Sequence, residues 1–190
     1  MHRDARRACY PRQTAKSRRS HVAPTVASSM TTKLEKSLVG LAGEYAVASE
    51  LCRRGVYAQL TLGNRKKVDL LLDGDKEFAR VEVKTKQGSQ WPGVKGIAPE
   101  DGLTFLVLVD LQGKGQNERP EFYVISKDEW RPFLEQKLRD KLKRKTVEID
   151  VHNVAHHDDD WVGVGIKADE VARFKNDWDK IVRIVGPPKD

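Results

Sequence analysis

Residues 67–84, KVDLLLDGDKEFARVEVK, predict a β-hairpin, and this hairpin constrains the fold more than any other stretch of the chain. Its first run is apolar apart from Asp69, and Gly74 in the turn is free to adopt a positive φ angle. The second run alternates between apolar and charged residues, as a strand with one buried face does. A register that faces Asp69 toward Glu82 and Lys84 would bring two carboxylates and an ammonium group together.

Such a constellation predicts a metal site. Nearby carboxylates repel each other unless a cation bridges them, and a small set of hard oxygen ligands suits Mg²⁺. A bound Mg²⁺ polarises a phosphodiester, while an ammonium group orients the attacking water and stabilises charge on the phosphate oxygens. The alternative is an ordinary strand with a solvated face, since Glu-x-Lys alone is common. Asp69 favours the metal site, because its apolar neighbours look buried on both faces.

The order of Asp69, a short hairpin and Glu82-Val83-Lys84 resembles the signature of the PD-(D/E)XK nuclease superfamily. The resemblance covers roughly residues 34–125, about half of the chain. A valine precedes the aspartate where many members have proline, which weakens the match only slightly because that proline varies within the superfamily.

The resemblance implies a restriction-endonuclease-like fold, an α/β core with a central mixed β-sheet flanked by helices. It also implies Mg²⁺-dependent cleavage of DNA, with Mn²⁺ as a possible substitute. Asp69 and Glu82 would bind the metal, and the carbonyl of Val83 would complete the site. Lys84 would serve the attacking water, and Glu44 would position the metal or its water. A non-cleaving nucleic-acid-binding or scaffold protein of the same fold is the alternative, because fold does not fix function.

An amphipathic helix is expected over residues 34–54, upstream of the hairpin. Thr32 and Glu35 fit a capping box at its start, and Gly55 fits a cap at its end. Apolar residues at helical spacing are expected to form its buried stripe: Leu34, Leu38, Leu41, Tyr45, Ala48 and Cys52. Glu44 lies at the margin of this stripe, where it would either lean over the hairpin or lie in solvent.

Three further strands are expected around the hairpin, at residues 57–62, 104–111 and 121–125. The apolar run at residues 104–111 predicts a buried central strand. Residues 87–103 are rich in Gly and Pro and predict a loop or a broken short helix, in which Trp91 is expected to be an anchor rather than a platform for a base.

We divide the chain into a basic, disordered tail, a nuclease-like core and a C-terminal helical extension packed on it: residues 1–29, 30–126 and 127–190. A capping box at Ser126 opens a helix through about residue 143, and a last helix is expected over residues 169–184. The tail carries seven Lys or Arg and one Asp, which supplies most of the net charge of +7. It would hold a polyanion, act as a targeting segment, or be an upstream extension if Met30 is the true start.

DNA is the expected partner, with RNA as an alternative. Arg65, Lys66 and Lys67 precede Asp69 and would grip a nucleic-acid backbone, and Gln87 is a weaker candidate contact. A second basic patch ends the predicted extension helix: Lys141, Lys143, Arg144 and Lys145. Both patches would otherwise be solvated surface.

The remaining sequence features concern the compartment and the assembly. No apolar run approaches the ~18 residues of a membrane span, so we expect no membrane association. The two cysteines, Cys9 and Cys52, form no metal or disulfide pattern, which favours a reducing cytoplasm. A homodimer is possible, although no seam for one can be read from the sequence.

Overall fold

A computed structural model describes residues 34–61 and 68–186 of the chain. The strands, in chain order, are β1 Tyr57–Leu60, β2 Leu70–Asp73, β3 Ala79–Lys86, β4 Trp91–Val94, β5 Thr104–Asp110, β6 Glu121–Ser126, β7 Val147–Ile149, β8 Ala155–His157 and β9 Val164–Ile166. The helices are α1 Lys36–Cys52, α2 Lys127–Lys137, α3 Arg139–Lys143, a 3₁₀ helix Asp169–Phe174 and α4 Asp179–Val185. The predicted N-terminal tail lies outside the described residues.

A five-stranded sheet with the order β1-β2-β3-β5-β6 forms the centre of the fold. The β3–β5 pair is parallel and the other pairs are antiparallel, so the predicted α/β fold with a central mixed sheet is confirmed. Strand β5 is buried along its whole length, as its apolar run predicts. The prediction of a loop over residues 87–103 is wrong in part, because β4 forms there and pairs with β9.

Two hydrophobic cores lie on opposite faces of the sheet, and alternate residues of β5 supply them. Phe105 and Val107 join the core beneath α1 and α4, which we call the α1-side core. Leu106 and Leu108 join the core beneath α2, the α2-side core, which also contains Trp91. This double burial explains why β5 has a continuous apolar sequence rather than an alternating one.

Helix α1 packs on the sheet through a different face from the predicted one. Its buried apolar residues are Val39, Val47 and Leu51, and Gly43 lies between them. The predicted stripe is exposed instead, with Leu34, Leu38, Leu41 and Tyr45 between 44% and 58% accessible and Cys52 also exposed. The helix carries two apolar rows, and the row with a glycine at its centre allows the closer approach to the sheet.

The C-terminal extension covers both faces of the sheet and is not purely helical, since it contributes β7, β8 and β9. The capping box between Ser126 and Glu129 is confirmed, but the helix breaks at Leu138. The predicted last helix is also broken, and Trp178 lies in the α1-side core as expected. Within the described residues, no helix is long and apolar enough to cross a membrane.

The tip of the β2–β3 hairpin is fastened to the end of α4. The Lys76 N–H donates to Val185 O at 3.1 Å, and Lys76 Nζ donates to Arg183 O at 3.2 Å. A Cβ atom on Gly74 would lie 2.4 Å from Val185 O. The prediction that Gly74 uses its freedom to adopt a positive φ is therefore wrong, because its φ is not positive. Glycine is required at this position by the close approach of the α4 backbone.

Glu121, at the start of β6, is expected to make the fold sensitive to acid. Hydrogen bonds from Lys175, Lys114 and Tyr123 lower the pKa of its carboxyl from 4.5 to about 2. Because the folded pKa is depressed, its contribution to stability is complete above pH ~4.5 and is lost as the pH falls toward 2. Urea titrations should show Glu121→Gln less stable than wild type at pH 7, with a gap that narrows below pH 4.5. Glu148→Gln, on the exposed side of β7, should show no such convergence.

Candidate active site

Asp69 lies just before β2 and against β3. The paired residues of the two strands begin with Leu70 and Val81. The Asp69 N–H also donates to Val81 O at 2.9 Å, and the Val83 N–H donates to Asp69 Oδ2 at 2.6 Å. The Asp69 carboxylate therefore lies against the edge of β3, where β2 begins.

The backbone around Asp69 is held from the other side by Thr61. The Thr61 N–H donates to Asp69 O at 2.9 Å, and Thr61 Oγ1 donates to Val68 O at 2.7 Å. In a strand, the N–H and C=O groups of one residue point to the same side. The Val83 carbonyl therefore faces the same edge of β3 as the Val83 N–H, next to the Asp69 carboxylate.

Glu82 and Lys84 form an ion pair on the face of β3 opposite to Val81 and Val83, as the alternation predicts. Lys84 Nζ lies 2.8 Å from Glu82 Oε1. The Glu82 residue is only 5% accessible, whereas the Lys84 side chain is 41% accessible. The pair thus joins a buried carboxylate to an ammonium group that solvent or a ligand can reach.

Glu44 is half-buried on α1. Burial raises the pKa of its carboxyl above the usual value, and repulsion from the Asp69 carboxylate raises the pKa further. The Lys84 ammonium acts in the opposite direction. Glu44 is therefore within electrostatic reach of Asp69 and of Lys84, although the three residues come from α1, the start of the hairpin and β3.

A close contact between Gly43 and Thr85 sets the height of α1 above the sheet. A Cβ atom built on Gly43 would lie 1.8 Å from Thr85 Oγ1 and 2.9 Å from Thr85 Cβ. Gly43 directly precedes Glu44, and Thr85 directly follows Lys84. This contact therefore sets how closely the backbone segments that carry Glu44 and Lys84 approach each other. The sequence signal for it is a glycine within a helix, which costs stability unless packing requires it.

Gly43→Ala is expected to destabilise the protein by about 1–3 kcal/mol, the usual cost of overpacking a well-packed contact. Gly40 is the matched control, because it lies in the same helix and a Cβ there would meet nothing within 4 Å. Gly40→Ala should stabilise the protein by about 0.4–1 kcal/mol, since it only restricts the unfolded chain. Urea denaturation measures both. Equal effects from the two substitutions would contradict the assignment of the contact.

The oxygen atoms of the site suit Mg²⁺ by type. Asp69, Glu82 and Glu44 supply carboxylates, and Val83 supplies a carbonyl, all of them hard ligands. In the described parts of the chain, however, no group of three or more His, Cys, Asp or Glu side chains is arranged to hold a metal ion. The residues therefore fit the ion chemically without forming a closed coordination shell.

The expected nucleic-acid contacts fall in different places. Arg65, Lys66 and Lys67 lie outside the described residues. The Gln87 Oε1 atom accepts a hydrogen bond from the Leu34 N–H at 3.0 Å and so ties the start of α1 to the end of β3. The second basic patch is exposed on α3 and the turn after it: Lys141, Lys143, Arg144 and Lys145. That patch follows α2, which packs on the face of the sheet opposite to α1.

Two side chains near the site have structural roles. Trp91 is buried, and its Nε1–H donates to Val109 O at 3.1 Å, which confirms the expected anchor. Lys86, two residues beyond Lys84, forms a buried ion pair with Asp110 at 2.7 Å that the sequence analysis missed. The alternation of β3 predicts the face on which Lys86 lies, but it does not identify the partner on another strand.

Comparison of the chain with protein-family models, with curated proteins and with solved structures found no match. The resemblance to PD-(D/E)XK nucleases therefore rests on the residues of the hairpin and of α1. Their arrangement in the fold is the basis on which a function is proposed.

Proposed function

We propose that this protein is a Mg²⁺-dependent nuclease that hydrolyses DNA phosphodiester bonds, with Mn²⁺ as a substitute ion. The observation that carries the proposal is the Asp69 carboxylate, which accepts a hydrogen bond from the Val83 N–H between Glu82 and Lys84, while Lys84 pairs with Glu82. Glu44 supports it, because its raised pKa reflects the nearby Asp69 carboxylate as well as burial. An ordinary solvated strand face does not require an acid from the neighbouring strand and another from a helix.

Each residue has a distinct role in the proposed reaction. Asp69 and Glu82 would hold the ion together with the Val83 carbonyl. When bound, Mg²⁺ polarises the phosphodiester and lowers the pKa of a coordinated water. The Lys84 ammonium group is accessible and stabilises negative charge that develops on the phosphate oxygens. Glu44 accepts a hydrogen bond from the water, and its raised pKa makes it a stronger base than an ordinary carboxylate.

Cleavage assays with supercoiled plasmid and with a labelled single strand test the proposal, each with Mg²⁺, Mn²⁺ or EDTA. Wild type should cut only with a metal ion, and Asp69→Asn should not cut. Asparagine keeps an oxygen that accepts the Val83 N–H, so the substitution leaves the strand pairing in place. Cutting in EDTA, or equal cutting by Asp69→Asn, would contradict the proposed role of the site.

A non-cleaving nucleic-acid-binding protein of the same fold is the second candidate. Two observations favour it: the described residues hold no closed metal cluster, and α3 ends in exposed basic residues. Such a protein would leave every substrate intact in the cleavage assays. It would bind DNA in gel-shift experiments, with an affinity that falls steeply as the salt concentration rises.

A further inference from the structure

A row of exposed apolar side chains runs from Leu34, just before α1, along the outer face of the helix. Leu34, Leu38, Leu41 and Tyr45 are 44%, 52%, 44% and 58% accessible. Single exposed apolar residues are normal on protein surfaces, but a contiguous row marks an interaction site. We call this row, with the two residues that continue it, the outer stripe: Leu34, Leu38, Leu41, Tyr45, Ala48 and Cys52.

The spacing of the outer stripe is that of a coiled-coil seam. Its residues follow one another at intervals of four, three, four, three and four, so that every second residue recurs after seven positions. A helix that packs only on its own sheet needs one apolar face, and α1 already buries Val39, Val47 and Leu51 there. With about 100° of rotation per residue, the outer stripe lies nearly opposite to that face. The second row therefore suits a second helix.

We propose that the outer stripe is the seam of a homodimer, in which α1 packs antiparallel on α1 of a second copy. A twofold interface must be self-complementary, and the stripe is symmetric about Gly43 when it is read in both directions. Antiparallel packing then sets large residues against small or flat ones. The pairs across the seam are Leu34 with Cys52, Leu38 with Ala48, and Leu41 with Tyr45.

The charges at the two ends of α1 favour the antiparallel orientation. Glu35 lies at the start of the helix and Arg53 at its end, both on the same side of the stripe. The Arg53 side chain is 69% accessible. Antiparallel packing sets Glu35 of each copy beside Arg53 of the other, whereas parallel packing would leave these opposite charges at opposite ends of the helices.

The apolar area of the stripe is small for a dimer interface. Its exposed side chains present roughly 400 Å² of apolar surface, about half of the ~800 Å² that a standard interface takes from each partner. Polar residues beside the stripe contribute the rest of the contact. Glu44 lies about 80° around the helix from the stripe, so the seam leaves it facing the hairpin. We therefore expect an equilibrium between monomer and dimer that depends on protein concentration.

Sedimentation velocity over a wide range of protein concentrations tests the dimer. Wild type should shift from monomer to dimer, and Leu41→Glu should remain monomeric with an unchanged melting temperature. Val151→Glu is the matched control, because Val151 is an exposed apolar residue away from α1, and it should dimerise like wild type. A monomeric wild type, or a dimeric Leu41→Glu, would overturn the proposal. A monomeric wild type would mean that the stripe binds a different protein, and the proposed nuclease activity would not be contradicted by that result.

Disulfide trapping tests the orientation, with Cys9→Ser as the background. In that background, Leu34→Cys should form a covalent dimer on oxidation, because residue 34 faces Cys52 of the second copy. Cys9→Ser alone should not cross-link, since the two Cys52 residues lie at opposite ends of a seam about 27 Å long. Cross-linking through Cys52 alone would indicate parallel helices and overturn the antiparallel arrangement. A Leu34→Cys protein that stays monomeric under oxidation would overturn it as well.

Discussion

Lys84→Ala is expected to lower the rate of DNA cleavage by at least 10²–10³-fold, the usual effect of removing one group that stabilises charge in a transition state. The Lys84 ammonium is the accessible member of its ion pair with Glu82 and lies within electrostatic reach of Glu44. Alanine removes the positive charge from the place where, in the proposed reaction, the phosphate oxygens become more negative. Single-turnover cleavage of the preferred substrate, with saturating metal, measures the effect.

Arg80→Ala is the matched control for Lys84→Ala. Arg80 lies on the same strand and on the same face as Lys84, but it pairs with Leu71 in the middle of the hairpin. Its loss should change the rate by less than about 10-fold, as expected for a charge that contacts only the DNA backbone. Melting curves of both variants separate a catalytic defect from unfolding. A Lys84→Ala protein that folds and keeps its activity would refute the nuclease assignment.

Lys86→Ala is expected to destabilise the protein by about 3–5 kcal/mol, because it leaves the buried Asp110 carboxylate without its counter-ion. The Lys86 side chain is only 1% accessible and contacts several partners. Besides Asp110 at 2.7 Å, its Nζ donates to Gly88 O at 3.1 Å and to Gln112 Oε1 at 3.0 Å. It also lies 4.7 Å from the centre of the Trp91 ring. Urea denaturation measures the loss.

The double variant Lys86→Met with Asp110→Leu distinguishes a lost ion pair from lost packing. Replacing both charges with apolar side chains of similar size is often neutral or stabilising, since neither charge is then left uncompensated. The double variant should therefore recover most of the stability that Lys86→Ala loses. A single substitution that costs less than about 1 kcal/mol, the range of an exposed pair, would contradict the buried role.

The strands of the central sheet could be predicted from the sequence because they depend on local patterns. The apolar run of β5 and the alternation of β3 each reflect burial that a strand imposes on its own residues. The approach of Asp69 to Val83 follows from the short hairpin between them. Asp69, Glu82 and Lys84 could therefore be grouped as one candidate site without a structure.

The packing of α1 could not be predicted, because the helix has two apolar rows and its own sequence does not say which one meets the sheet. The choice depends on Thr85, which needs a glycine above it and lies 42 positions away along the chain. The pair of Lys86 and Asp110 was missed for a related reason. Its two residues come from β3 and β5, which become neighbours only when the parallel sheet forms.

The fastening of the hairpin tip to α4 has a consequence for synthesis on the ribosome. The hydrogen bonds of Lys76 join it to residues more than 100 positions later, at Arg183 and Val185. At ~5–20 residues per second, that length of chain takes roughly 5–20 s to emerge. Throughout this interval the β2–β3 hairpin exists without the contact that secures its tip. The hairpin that carries Lys84 therefore acquires its final support only after Val185 has been synthesised.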